Sequence, residues 1–141
     1  MTRKQHTLYR LGRACRITAT TLVIAAGIYY LLAPPVTTTT FFDADWPPLV
    51  WGGIFLAGGL VTAAGLRTRI LQIEQLGMLM IVVGTGMLAL AQTLVMLEHP
   101  VTHTRGGGTL ILWALAAFAA ARYFDLSADI RSARLAQQMR G

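Results

Sequence analysis

Residues 49–97 read LVWGGIFLAGGLVTAAGLRTRILQIEQLGMLMIVVGTGMLALAQTLVML, two apolar runs hinged on Arg67-Thr68-Arg69. The first run, 49–66, has no charge, and the second, 70–97, has a single one at Glu74. About 20 residues of α-helix, rising 1.5 Å each, cross a hydrocarbon core of about 30 Å. Both runs are close to or beyond that length, and the arginine hinge leaves room only for a tight helical hairpin. Upstream, Ile17 to Ala33 is a third apolar run within a charge-free stretch from Arg16 to Asp43. Pro34-Pro35 ends it, because proline cannot continue a helix. Downstream, Thr109 to Ala121 is short. It reaches spanning length by taking in Gly106–Gly108 at one end and Arg122-Tyr123-Phe124 at the other. Pro47 and Pro48 suit the first turn of the second span, where a missing N–H costs nothing.

The sequence therefore predicts an all-α chain, an integral membrane four-helix bundle with spans at 17–33, 49–66, 70–97 and 109–124. Segments 34–48, 67–69 and 98–108 connect the spans; a basic segment 1–16 precedes them and a tail 125–141 follows. Composition agrees. Of 141 residues, 55 % are hydrophobic and 13 % charged, with a mean hydropathy of +0.56. Soluble domains carry about 25 % charged residues, so this chain has too little polar surface for one. Disorder is excluded on the same grounds. Nucleic acid is not an expected partner despite a pI near 10.5, since binders of nucleic acid spread their basic residues over a wet face.

The net charge of +6 is instead a matter of sidedness. On one side lie Arg3, Lys4, Arg10, Arg13, Arg16, Arg67, Arg69, Arg122, Arg131, Arg134 and Arg140; on the other lies Arg105 alone. The positive-inside rule then puts both termini in the cytoplasm of a bacterial inner membrane. Aromatic residues pick the same topology: Tyr29, Tyr30, Trp46, Trp51 and Trp113 at the outer interface, Tyr9, Tyr123 and Phe124 at the inner one. The first span reads as an uncleaved signal anchor, because Pro34 follows the only small-residue cleavage position, Ala33.

The flanking segments also carry a pattern. Arg10, Arg13 and Arg16 recur at helical spacing beside Leu8, Leu11 and Cys15, which predicts a basic helix on the inner leaflet facing anionic lipid. Leu126, Ile130, Ala133 and Met139, mixed with Arg131 and Arg134, predict a helical continuation of the fourth span. Thr37–Thr40, with Asp43 and Asp45 nearby, favours an extended outer loop. The second outer loop ends in the triplet Gly106–Gly108, read as flexible.

Glu74 is the leading candidate for a functional side chain. An ionisable group inside a span is a functional hypothesis by default, as a proton relay or a cation site. The competing role is an ion pair with Arg67, Arg69 or the Arg13/Arg16 cluster, reached by snorkelling. Thr85, Ala89 and Gln92 share a helical face, and the two polar members suit hydrogen bonds to a neighbouring helix. Small residues form the largest constellation. Gly52, Gly53, Gly58, Gly59 and Gly65 in the second span, and Gly77, Gly84 and Ala91 in the third, permit close backbone approach where no hydrophobic effect drives association. They surround the second span more fully than one partner helix requires, which suggests self-association. Glu98, His99 and His103 have zinc-like spacing, but Pro100 interrupts the helix that spacing needs, so no metal is expected. Cys15 is the only cysteine and excludes an internal disulfide. No nucleophile–base pair, phosphate loop or cofactor motif is present, so neither catalysis nor a cofactor is expected.

Residues 65–78, Gly-Leu-Arg-Thr-Arg-Ile-Leu-Gln-Ile-Glu-Gln-Leu-Gly-Met, resemble small multi-span membrane proteins of actinobacterial phages, some of them called holins. The resemblance covers the second and third spans. Eleven arginines to one lysine, with abundant Ala, Gly and Thr, fit the GC-rich coding of such a source. The resemblance implies a self-associating inner-membrane protein that opens a lesion for an endolysin, and it assigns no residue a chemical role. Two other classes stay open. One is an accessory or structural membrane protein, for instance one that excludes superinfection or serves as a complex subunit. The other is a small ion or drug transporter. The four-span multidrug transporters carry a glutamate in their first helix, and 17–33 has none.

Overall fold

Pro47 and Pro48 occupy the first turn of a helix, and the break at Arg69 ends it, so local chemistry sets the limits of the second span. In the computed structural model, which describes residues 3–33, 46–98 and 106–139, the chain forms four helices. These are α1 (Arg3–Leu32), α2 (Trp46–Thr68), α3 (Leu71–Glu98) and α4 (Gly106–Gln138). Each is long and apolar enough to cross a membrane. The segments 34–45 and 99–105, with Thr37–Thr40, Asp43, Asp45, His99, Pro100, His103 and Arg105, lie outside the described residues, as do Arg140 and the side chain of Arg10.

Three boundaries differ from the sequence expectation. The basic segment 1–16 is no separate interfacial helix, because α1 runs unbroken from Arg3 to Leu32. Gly12 is the only glycine near that junction, and Thr20 and Thr21 donate to the Arg16 and Ile17 carbonyls within the same helix. Gly106–Gly108 form no loose end of a loop; they are the first turn of α4. Packing overrides glycine's low propensity there, since Thr109 is buried and the Gln92 Oε1 lies 4.0 Å from where a Cβ on Gly108 would stand. The hinge is also tighter than 67–69. Arg67 and Thr68 are helical, and only Arg69 and Ile70 connect α2 to α3. Arg69 takes φ 59°, the left-handed conformation that stops a helix, and the Ile70 carbonyl accepts from the Ile73 and Glu74 amides to begin the next.

Consecutive helices pack on each other: α1 on α2, α2 on α3, α3 on α4. Among the described residues no comparable interface joins α4 back to α1, so the bundle is serial and open. Its apolar core draws on all four helices. Trp51, Phe55 and Leu88 are buried at the centre, with Val23, Tyr30, Ala91 and Leu112 against them. Tyr30 meets Phe55 edge-on with centroids 6.1 Å apart. Trp51 is thus a core residue, 5 % exposed, and no interfacial anchor. Tyr29, Trp46 and Trp113 do stand exposed at that end.

Glycine places α2 between its two neighbours. A Cβ on Gly52 would meet the Leu31 side chain at 2.9 Å, and one on Gly59 would meet that of Ile24 at 2.6 Å. That row faces α1. A Cβ on Gly58 would lie 3.1 Å from Met80, and one on Gly65 would run into the backbone of Glu74. That row faces α3. Gly77 approaches Thr62 and the Gly58 carbonyl from the other side, and Gly84 approaches Ile54 and Phe55. Gly53 is the exception: no atom of the described residues lies within 4 Å of its Cβ position, so none of them packs against it. The apparent surplus of small residues therefore has an internal use, because α2 has two partners. Gly27, which the sequence pattern did not single out, brings α1 onto the Leu56 backbone, where a Cβ would fall 2.5 Å from the amide nitrogen.

Candidate functional site

The close approach at Gly65 carries α2 onto the backbone of α3 beside Glu74. Glu74 sits one turn into α3, and its side chain is only 6 % exposed. A buried carboxylate needs partners, since desolvating an unpaired charge is costly. Arg122, from the middle of α4, donates through Nη2 to Glu74 Oε1 at 2.8 Å. Arg16, from α1, places Nη1 at 3.9 Å from the same oxygen, close enough for charge attraction and too far for a hydrogen bond. Three helices far apart in sequence converge on one oxygen atom.

The sequence nominated Arg16 among several partners and overlooked Arg122. Arg67 and Arg69, the nominees nearest in sequence, are exposed and form no ion pair with Glu74. The overlooked signal was that Arg122 is the one cation taken into the fourth span, 109–124. Arg13 is exposed on α1.

A second polar contact reinforces α3 against α4 at this end. Gln75 Nε2 donates to Ser127 Oγ at 2.7 Å, and Ser127 in turn donates to the Tyr123 carbonyl. At the opposite end, Trp113 Nε1 donates to Thr93 Oγ1 at 3.1 Å. Thr85 behaves otherwise than expected. It does not bridge to a neighbour; its hydroxyl donates to the Ile81 carbonyl of its own helix at 2.7 Å. Burial explains this, because Thr85 faces the interior where its own backbone carbonyl is the nearest acceptor. Gln92 is half-buried and faces the start of α4. Ser127→Ala should cost about 0.6 kcal/mol, the average for an interhelical hydrogen bond between apolar helices, measured as a shift in unfolding midpoint in detergent micelles.

Beyond the triad, α4 continues through Asp125 to Gln138, roughly 20 Å at 1.5 Å per residue. Leu126 and Ile130 are buried on it, while residues 131–139 are exposed. Arg13, Arg16, Arg67, Arg69, Arg122, Arg131 and Arg134 thus gather at one end of the helices, with Glu74 among them. Chemically, the site is a charge clamp. One carboxylate holds two guanidinium groups from helices that otherwise share no comparable interface.

Comparison with protein-family models, with curated proteins and with solved structures found no match to this chain.

Proposed function

We propose that this chain is a multi-pass inner-membrane protein with both termini in the cytoplasm, acting as a non-catalytic accessory or structural component. The observation that carries this reading is the state of Glu74. A transport carboxylate must exchange its partner for a substrate ion or proton, and it usually lies near the midplane. Glu74 instead lies one turn from a helix end, hydrogen-bonded to Arg122 and faced by Arg16. That geometry suits a permanent tie between helices. The orientation is supported by the arginines gathered at the Glu74 end, which the positive-inside rule assigns to the cytoplasm.

Holin-like permeabilisation by an oligomer is the competing reading. It is favoured by the outer helices, since only 11 % of the α1 span and 22 % of the α4 span are buried within the chain. Those faces offer copies somewhere to pack. It loses support from the glycine rows of α2, which are engaged with α1 and α3.

Two measurements test the proposal together. A fluorescent reporter fused after Gly141 should be active in the cytoplasm, and an alkaline phosphatase inserted within 99–105 should be active outside; the reverse pattern overturns the orientation. Induced expression should leave the membrane potential of a bacterial host unchanged. Depolarisation, with lysis on co-expression of an endolysin, would replace the accessory role with the holin-like one.

A further inference from the structure

The clamp is not electrically balanced. Arg16 and Arg122 bring two positive charges to the one negative charge of Glu74. Arg122 is under-compensated in a second way. Its Nε is shielded from solvent and has no hydrogen-bond partner among the described residues. Arg16 is held loosely, 34 % exposed at the side chain, with Nε directed to the Gly12 carbonyl at 3.3 Å. Its Nη1 stands 3.9 Å from the carboxylate oxygen, beyond hydrogen-bond reach. The two helices that carry these arginines share no interface comparable to those between consecutive helices.

We propose that Arg16 and Arg122 together seat the phosphate of an anionic phospholipid headgroup at this end of the bundle. The inference rests on the membrane reading above. A phosphate diester carries one negative charge, which brings Arg16, Arg122, Glu74 and phosphate to a sum of zero. Guanidinium groups match phosphate geometry through paired N–H donors. Basic pockets between spanning helices on the cytoplasmic side are where such headgroups are held. Glu74 acts as the positioning residue, presetting both guanidinium groups. Exposed Arg13, Arg67 and Arg69 nearby raise the local concentration of anionic lipid without forming the seat.

The test uses the full chain extracted from membranes in a neutral detergent. Its melting temperature is followed against added phosphatidylglycerol, phosphatidylcholine of the same acyl chains, and inorganic phosphate. Phosphatidylglycerol should stabilise saturably, while the other two should not. Arg16→Gln, which leaves the Arg122–Glu74 bond in place, should weaken the phosphatidylglycerol midpoint about tenfold (about 1.4 kcal/mol). The double variant Arg131→Gln/Arg134→Gln removes exposed charge away from the clamp and should stay within about twofold of the parent. Equal stabilisation by both lipids would overturn the proposal, as would an equal loss in the two variants, which marks unspecific charge attraction. A full effect from inorganic phosphate alone would overturn the lipid as the source. A chain released from membranes by alkaline carbonate would overturn the membrane reading and this inference with it. A membrane-embedded chain indifferent to headgroup overturns this inference alone.

Discussion

Glu74→Ala is expected to lower the stability of the chain in detergent micelles by about 2–4 kcal/mol, read as unfolding free energy in a denaturant titration. Removing one partner of a buried ion pair costs about 3–5 kcal/mol, because the remaining charge is left desolvated and unpaired. The lower figure follows from exposure. The Arg122 side chain is 21 % exposed and that of Arg16 34 %, so both recover some solvation after the carboxylate is gone. Glu74→Gln should cost less, since the amide oxygen still accepts from Arg122 Nη2 while the charge attraction disappears. The double variant Glu74→Leu/Arg122→Leu should regain most of the loss, to within about 1.5 kcal/mol of the parent, because well-packed apolar side chains replace a buried pair at little net cost. A Glu74→Ala variant as stable as the parent would show that the clamp contributes nothing to holding α1, α3 and α4 together.

The second large effect is steric. Gly65→Leu is expected to cost about 3 kcal/mol or more, at the upper end for overpacking. Its Cβ would fall on the backbone of Glu74, and backbone cannot swing aside as the end of a side chain can. The same substitution at Gly53 should be neutral or stabilising by up to about 1 kcal/mol, the gain from replacing glycine within a helix. No atom of the described residues lies within 4 Å of that position. The contrast is informative because both glycines belong to the same small-residue pattern and the same helix. Equal losses at the two positions in micelles would mean that Gly53 is covered by something outside the chain, such as a second copy. Because α2 and α3 meet at Gly65 beside Glu74, the two disruptions share a region, and combining Gly65→Leu with Glu74→Ala should give less than the sum of the separate losses.

Both effects concern a part of the molecule that linear pattern describes incompletely. The small residues of α2 are visible in the sequence, and so is the lone carboxylate of α3. Their partners are not. Spacing along one helix shows that two rows exist, but the rotation of α2 about its axis decides which row meets α1 and which meets α3. Gly27 is the single glycine of the apolar run 17–33 and forms no row of its own, and its role exists only once Gly52 and Leu56 are set against it. Trp51 matched an interfacial belt by its position in the chain. It lies in the core because its face of α2 turns toward Leu88.

The order of the four helices, the apolar runs at their centres and the placement of arginine along the chain were determined by the sequence itself. These properties are local sums. A run of apolar residues buries backbone polar groups in helix, prolines and the Arg67–Arg69 hinge end it, and charge counts need no coordinates. What only the tertiary structure decided is the pairing: Arg122 on Glu74, with Arg16 behind it and Arg67 and Arg69 left outside. Several arginines were available, and a carboxylate attracts all of them alike. The choice among them is set by how the glycine contacts bring α1, α2 and α3 together and how α4 lies along α3.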